Sequence, residues 1–265
     1  EHMNDPSLLI LQIGRETGYE KGHIPGAVFF ATKGIYERSA SGMDHEIPSV
    51  TKLVAVFESL GVSNDSYIVI CYENAWAIPS AARAYLTLAY LGMGDRTSIL
   101  DGGLPQWKAE KRPITSEIPT ISAGNFTPDK RDNVIVDTEW IKENLRSPKV
   151  AIIDARPEAA YTGRYKDKRF SRHGHVTGAF NIPFTELTSE KTPHKFKSVR
   201  ELEDMFLNFG IKPGSTVVSY CDTGVWASLV YFVAKYLGYD ARFYDGSFQE
   251  WSADESLPVT GLVKK

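Results

Sequence analysis

The sequence is poor in cysteine: Cys71 and Cys221 are the only two in 265 residues. That argues against a disulfide framework and leaves each thiol as a candidate for chemistry or for packing. Excess positive charge is also lacking. A formal net charge of -3 at pH 7 leaves no footprint for nucleic acid, and no such partner is expected. No apolar run reaches the length of a membrane span and no secretory leader is visible at the start, so no membrane association is expected. The six histidines show no Cys/His ligand spacing, which points to a chain without a metal. What remains is 42% apolar and 24% charged, the balance of a soluble globular protein, with length for one large domain or two ordinary ones.

Internal repetition decides between these. Gly22-His-Ile-Pro-Gly-Ala27 recurs as Gly174-His-Val-Thr-Gly-Ala179, and Leu100-Asp-Gly-Gly-Leu-Pro-Gln-Trp107 recurs as Tyr244-Asp-Gly-Ser-Phe-Gln-Glu-Trp251. Between them Leu53, Val56, Phe57 and Leu60 match Leu202, Met205, Phe206 and Phe209 at helical spacing. Serines 49 and 198 are the expected N-caps and glycines 61 and 210 the C-caps. Each helix is followed by a strand, at Tyr67 to Tyr72 and Thr216 to Cys221, then by a helix ending in Tyr-Leu-Gly and a strand running into Asp-Gly. The chain is a tandem duplication. Short β-rich runs alternating with helices imply α/β domains, each a mainly parallel sheet flanked by helices.

The stretch 113–133 lacks periodicity and carries Pro119, Gly124 and Pro128, as a linker does. The expected division is a first domain over 1–115, a linker over 116–133 and a second domain over 134–265. The second opens with a short strand, a helix capped by Asp137 or Thr138, and the strand Val150 to Asp154. Residues 1–7 resemble the tail of the matching helix, so the native amino terminus is expected to lie upstream. The compartment, cytoplasmic or periplasmic, is left open.

Cys221 stands at a strand's carboxyl end, before a loop containing Gly224 and a helical pattern that begins at about Trp226. Unpaired N–H groups and the positive helix end there favour thiolate, which makes Cys221 the candidate nucleophile. Lowering a thiol pKa from about 8.5 to about 6.5 corresponds to about 2.7 kcal/mol, a reasonable load for several N–H donors and a helix end. In the first half the equivalent position is Tyr72. Cys71 lies one residue earlier, opposite Tyr220, which turns it to the other face as a core residue. The first domain is expected to be inactive.

Together these motifs, with Asp154-Ala-Arg156, Asn181-Ile-Pro-Phe184 and the loop Cys221-Asp-Thr-Gly-Val-Trp-Ala227, resemble the rhodanese family, specifically its tandem-domain sulfurtransferases acting on thiosulfate or 3-mercaptopyruvate. The resemblance spans essentially the whole chain. It implies two rhodanese-like domains, the second catalytic. Cys221 would take a sulfur from a small donor as a persulfide and pass it to cyanide, a small thiol or a protein dithiol. No cofactor beyond that persulfide is implied, and a monomer is expected. Backbone N–H groups of the loop, from Asp222 through Thr223, Gly224, Val225 and Trp226 to Ala227, would surround the sulfur as an anion nest.

By the same resemblance Arg156 would bind the donor anion and Thr223 would hydrogen-bond a donor oxygen. Asp44-His45-Glu-Ile-Pro48 is similar to a segment whose histidine reaches across the domain cleft in mercaptopyruvate enzymes, so His45 is carried over as a substrate contact. The basic stretch Arg164 to Arg172 offers further anion contacts, with Arg172 named among the binding residues, or else a solvated loop. Trp226 either narrows the pocket or packs, and His175 is read as a structural turn residue. Phosphatases of the Cdc25 type share the fold and a loop cysteine, but they need an arginine where Ala227 stands. A non-catalytic sulfur carrier or sensor is the other alternative. Asp222-Thr-Gly224 matches neither donor class, and an acidic Asp222 facing the pocket would repel dianionic thiosulfate.

Overall fold

The alternation of short strands and helices builds two parallel sheets, in two units. The computed structural model describes residues 3, 5–192 and 194–262. Of the helix tail expected over residues 1–7, residues 1, 2 and 4 lie outside the described residues, and Pro6 and Ser7 belong to a turn. The first unit comprises Glu1–Glu37, Ile47–Asp132 and Ser189–Phe196; the second comprises Arg38–Glu46, Asn133–Thr188 and Lys197–Lys265. The units are therefore not contiguous in sequence. The stretch 116–132 runs with the first unit without regular structure, two of its N–H groups bonded to carbonyls at helix ends: Gly124 donates to the Glu58 carbonyl (2.8 Å) and Asp129 to that of Leu91 (3.0 Å).

In the first unit Leu8–Ile13 (β1), Val28–Phe29 (β2), Tyr67–Tyr72 (β3) and Thr97–Ile99 (β4) form a sheet of order β2-β1-β3-β4 with every pair parallel. Its helices are Glu16–Lys21 (α1), Val50–Ser59 (α2), Ile78–Tyr90 (α3) and Gly103–Ala109 (α4). The second unit has Ile135–Val136 (β5), Val150–Asp154 (β6), His175–Val176 (β7), Phe180–Asn181 (β8), Thr216–Tyr220 (β9), Asp240–Tyr244 (β10) and Val259–Thr260 (β11). Five of these make a parallel sheet of order β5-β10-β9-β6-β8, and β11 pairs antiparallel with β7. Thr138–Asn144 (α5), Glu158–Tyr161 (α6), Val199–Asn208 (α7), Ala227–Tyr236 (α8) and Ser247–Ala253 (α9) are its helices. Among the described residues no helix is long and apolar enough to cross a membrane.

The repeats fold alike because the same residues meet the same local demands. In α2 and α7 the buried pairs Leu53/Phe57 and Leu202/Phe206 face the core, and Gly61 and Gly210 end the helices at φ +88 and +75. Their caps differ: Ser198 closes a capping box with Glu201, while Ser49 makes no side-chain cap. Three residues after Ser49 stands Lys52, which pairs with Glu37 (2.6 Å) and has no carboxylate to return to the cap. Asp137, not Thr138, caps α5, accepting from Trp140 N–H (2.8 Å).

The glycine-histidine motif makes one structure in both units. His23 stacks on Tyr19 and His175 on Tyr161 (ring centroids 3.8 and 3.7 Å), each ring nitrogen meeting the tyrosine carbonyl at 2.8 Å. His175, expected in a turn, instead opens strand β7 and pairs with Thr260, where its ring makes structural contacts. Burial pushes its pKa below the ordinary 6.5, against the pull of the Tyr161 carbonyl and Asp154. The unfolded chain then binds the proton more readily than the folded one. The neutral ring's full contribution is present above pH 6.5 and is lost as the pH falls below it towards the lowered folded pKa. In His175→Gln the decline of the urea midpoint from about pH 7 to about pH 5 is expected to be shallower than in wild type.

Candidate active site

Cys221 follows β9 directly, and α8 begins at Ala227. Gly224 sits at φ +92, a left-handed turn that a side chain would strain. It folds the loop back so that its N–H points at Cys221 Sγ (3.1 Å). The N–H groups of Thr223 and Ala227 also favour the negative sulfur. The loop carbonyls are held from outside: Phe248 and Gln249, in the first turn of α9, donate to the carbonyls of Cys221 (2.9 Å) and Asp222 (3.1 Å). Those helix-end N–H groups have no partner within α9, and by taking the carbonyls they leave the loop N–H groups turned toward the sulfur. Ser228 Oγ donates to the Gly224 carbonyl (3.0 Å), and Ser247, at φ +52, accepts the Cys221 N–H on its hydroxyl (3.3 Å).

Cys221 is 1% exposed. Burial pushes its thiol up from its ordinary value, and the Asp222 carboxylate pushes the same way against the three N–H groups. The fall expected from sequence is therefore corrected to a rise, because desolvating a thiolate and setting a carboxylate beside it outweigh the donors. Cys71 is as expected a core residue, packed with Ile10, Ile24, Ala27 and Leu104, and burial pushes its thiol up to about 12.

Beside Cys221 lies a cavity of about 230 Å³ walled by His45, Arg169, Asp222, Thr223, Val225 and Trp226. Trp226 both packs and narrows: it stacks on Phe184 (4.9 Å) while lining the cavity. Gly224 and Ala227 are not part of that wall and act on the sulfur through their backbone N–H groups. His45 does reach the loop, its Nδ1 sharing a hydrogen bond with Thr223 Oγ1 (3.0 Å). Its backbone is left-handed, at φ +60, a conformation that persists only where neighbours hold it. Gln249 does so, its side-chain amide bracketing the Asp44 backbone through N–H (3.0 Å) and carbonyl (2.8 Å). No local pattern in the sequence singles out Gln249. Among the described residues no three His, Cys, Asp or Glu side chains group as a metal ion requires.

The arginines are placed differently from expectation. Arg156 is 2% exposed and lies outside the cavity wall. It grips Asp154 bidentately (Nε to Oδ1 2.9 Å, Nη2 to Oδ2 2.6 Å), donates to the Gly174 carbonyl (2.6 Å) and stacks on Phe248 (3.9 Å). Asn181 ties this turn by donating to the carbonyls of Asp154 (3.0 Å) and Arg156 (2.8 Å), and Tyr220 donates to Asp154 Oδ2 (2.7 Å).

Arg172 is also absent from the wall. Its guanidinium clamps the carbonyls of Trp251, Ser252, Asp254 and Leu257 at the end of α9. Arg172→Met is expected to lower stability by about 2 kcal/mol in urea titration while leaving the KM for an anionic donor within about twofold. Arg169 lines the cavity instead. It too folds back on the aspartate two residues before it, Asp167 (Nη2 to Oδ2 2.6 Å), as Arg156 does on Asp154. That shared Asp-x-Arg spacing is a signal in the sequence.

Known proteins resemble this arrangement. The family model described as Rhodanese-like domain matches residues 1–110 and 137–254. A 3-mercaptopyruvate sulfurtransferase of Escherichia coli is 30% identical over 271 residues, covering 98% of this chain and 94% of that protein. A putative thiosulfate sulfurtransferase of Synechococcus elongatus is 34% identical over 269 residues, covering 98% and 82%. An anaerobic ergothioneine biosynthesis enzyme of Chlorobium limicola has the same fold, with a TM-score of 0.81 at 22% identity over 97% of this chain. The chain spans 65% of the length of that solved structure. Two matched domains and relatives at this identity over most of their length place the chain in the rhodanese family.

Proposed function

We propose that the protein is a sulfurtransferase in which Cys221 is the nucleophile and persulfide carrier. The observation that carries this reading is the convergence of the N–H groups of Thr223, Gly224 and Ala227 on Cys221 Sγ beside a cavity large enough for a small donor. The thiolate attacks the outer sulfur of thiosulfate or 3-mercaptopyruvate. A new S–S bond forms, and the bond from that sulfur to the rest of the donor breaks, its electron pair leaving with sulfite or with the enolate of pyruvate. Cyanide, a small thiol or a protein dithiol then takes the outer sulfur and returns the thiolate. The three N–H groups stabilise the negative sulfur in each state.

His45 and Thr223, joined in one hydrogen bond on the cavity wall, contact the donor. No cofactor is needed, and the chain works as a monomer in the cytoplasm or the periplasm. Ala227, buried and without a guanidinium, supports sulfur over phosphoryl transfer. The test is intact-mass measurement after incubation with each donor. Gain of one sulfur that cyanide removes supports the reading, and the absence of an adduct with both donors overturns it. A persulfide that forms without turnover marks a carrier.

A further inference from the structure

Two arginines pair with Asp222, the residue after the nucleophile, and each is already gripped by a carboxylate of its own. Arg156 Nε and Nη2 are taken by Asp154, and Arg169 Nε and Nη2 by Asp167. One further carboxylate reaches both: Asp222 Oδ1 lies 3.6 Å from Arg156 Nη1, and Asp222 Oδ2 lies 3.3 Å from the same Arg169 Nη2 that Asp167 holds. Asp222 is fixed there, because its backbone carbonyl accepts from Gln249 N–H (3.1 Å) and its side chain is 14% exposed. It also borders both the Cys221 cavity and the small adjoining pocket lined by Arg156, Asp167 and His173. In this chain of ion pairs two guanidiniums face three carboxylates. The charge left over is negative, and it sits on the residue next to the nucleophile.

We propose that Asp222 is a specificity-determining residue of this site. Its carboxylate draws on both guanidiniums and lines the donor cavity itself, so the site selects a sulfur donor of low charge, singly charged or neutral, over a small dianion. The physical basis is that a guanidinium already facing two carboxylates has less attraction left for a third anion, while the uncompensated carboxylate repels a dianion about twice as strongly as a monoanion at the same distance. Of the two donors in the proposed reaction, thiosulfate carries two charges and 3-mercaptopyruvate one, so the latter is favoured. The inference deepens the sulfur-transfer reading and rests on it for the identity of the donor, but the charge at the sulfur can be measured without turnover.

The measurement compares alkylation of Cys221 by iodoacetate, an anion, and iodoacetamide, its neutral counterpart, mapped by peptide mass. Both reagents are attacked by the same thiolate and both release iodide. The ratio of their rates cancels the thiolate fraction and reports the local field. For wild type this ratio is expected to lie well below that of a free cysteine peptide. Asp222→Asn should raise it about tenfold, and Asp222→Glu should keep it low. In parallel, Asp222→Asn should raise kcat/KM for thiosulfate more than for 3-mercaptopyruvate.

A wild-type ratio equal to that of the free peptide overturns the proposal whether or not the variants fold, and so does a ratio that Asp222→Asn leaves within about twofold. If the ratio moves as expected and no persulfide forms with either donor, the sulfur-transfer reading falls and the charge assignment stands. If wild type forms a persulfide and the ratio does not move, the charge assignment alone falls.

Discussion

Cys221→Ser is expected to form no persulfide and to lose sulfur transfer from thiosulfate and from 3-mercaptopyruvate by about a thousandfold or more, with its urea midpoint close to wild type. The size of the effect follows from the chemistry of the step. Sulfur must be held covalently between two half-reactions, and a serine hydroxyl at this position neither ionises near neutral pH nor forms a bond that cyanide can reverse. The loop would survive the change, since its shape rests on Gly224, on the Ser228 hydroxyl and on the N–H groups of Phe248 and Gln249, none of which requires sulfur. Cys71 cannot substitute, because it is buried among Ile10, Ala27 and Leu104 with its thiol pushed up to about 12. Thiocyanate formation and intact mass read the result, and turnover retained within about tenfold would move the nucleophile elsewhere. Since burial and Asp222 raise the Cys221 thiol, kcat/KM in wild type should rise with pH on the alkaline side of neutrality as the thiolate fraction grows.

Arg156→Leu is expected to cost about 3–5 kcal/mol of stability, the consequence of leaving one member of a buried ion pair alone. Asp154 and Arg156 are 0% and 2% exposed. Without the guanidinium the Asp154 carboxylate keeps the Arg156 N–H (2.9 Å) and the Tyr220 hydroxyl (2.7 Å) as partners, and no cation. Because β6 and β9 are adjacent strands, the damage falls on the floor beneath Cys221. Arg156→Lys should recover only part of the loss, because an ammonium cannot reproduce the bidentate fork. Replacing both partners together, as Asp154→Leu with Arg156→Met, should cost less than Arg156→Leu alone, since no charge is then stranded. Urea titration of the four proteins distinguishes this hub from a donor-binding arginine. The latter would give Arg156→Leu a raised donor KM at near-normal stability.

Much of the fold was legible in the sequence because its determinants are local. The buried pairs of α2 and α7, the glycines that end them and the strand limits at Leu8, Tyr67 and Val150 are set by periodicity and by positive φ, both of which leave a trace within a few residues. The face on which Cys71 falls was legible for the same reason. What was not legible depended on residues distant in the chain meeting. Arg172 reads as one more surface cation, yet four carbonyls at the end of α9 surround it. Arg169 stands in the same basic stretch, and its Asp-x-Arg spacing marks its fold-back on Asp167 but not its place on the cavity wall. The segment Arg38–Glu46 belongs by position to the first half and packs in the second unit.

Taken alone, the sequence determined that the chain is a duplicated α/β protein, that Cys221 stands between a strand and a helix while its repeat partner is Tyr72, and that no arginine follows where phosphate chemistry needs one. Each of these is a matter of order and spacing, which the covalent chain carries directly. Only the tertiary structure decided which guanidiniums are already paired, that His45 meets Thr223, and that the Cys221 thiol is pushed up rather than down. Ion pairing and desolvation depend on what surrounds a group in space, and here that is a buried thiol and the neighbouring Asp222, whose backbone is held by a helix almost thirty positions further along the chain.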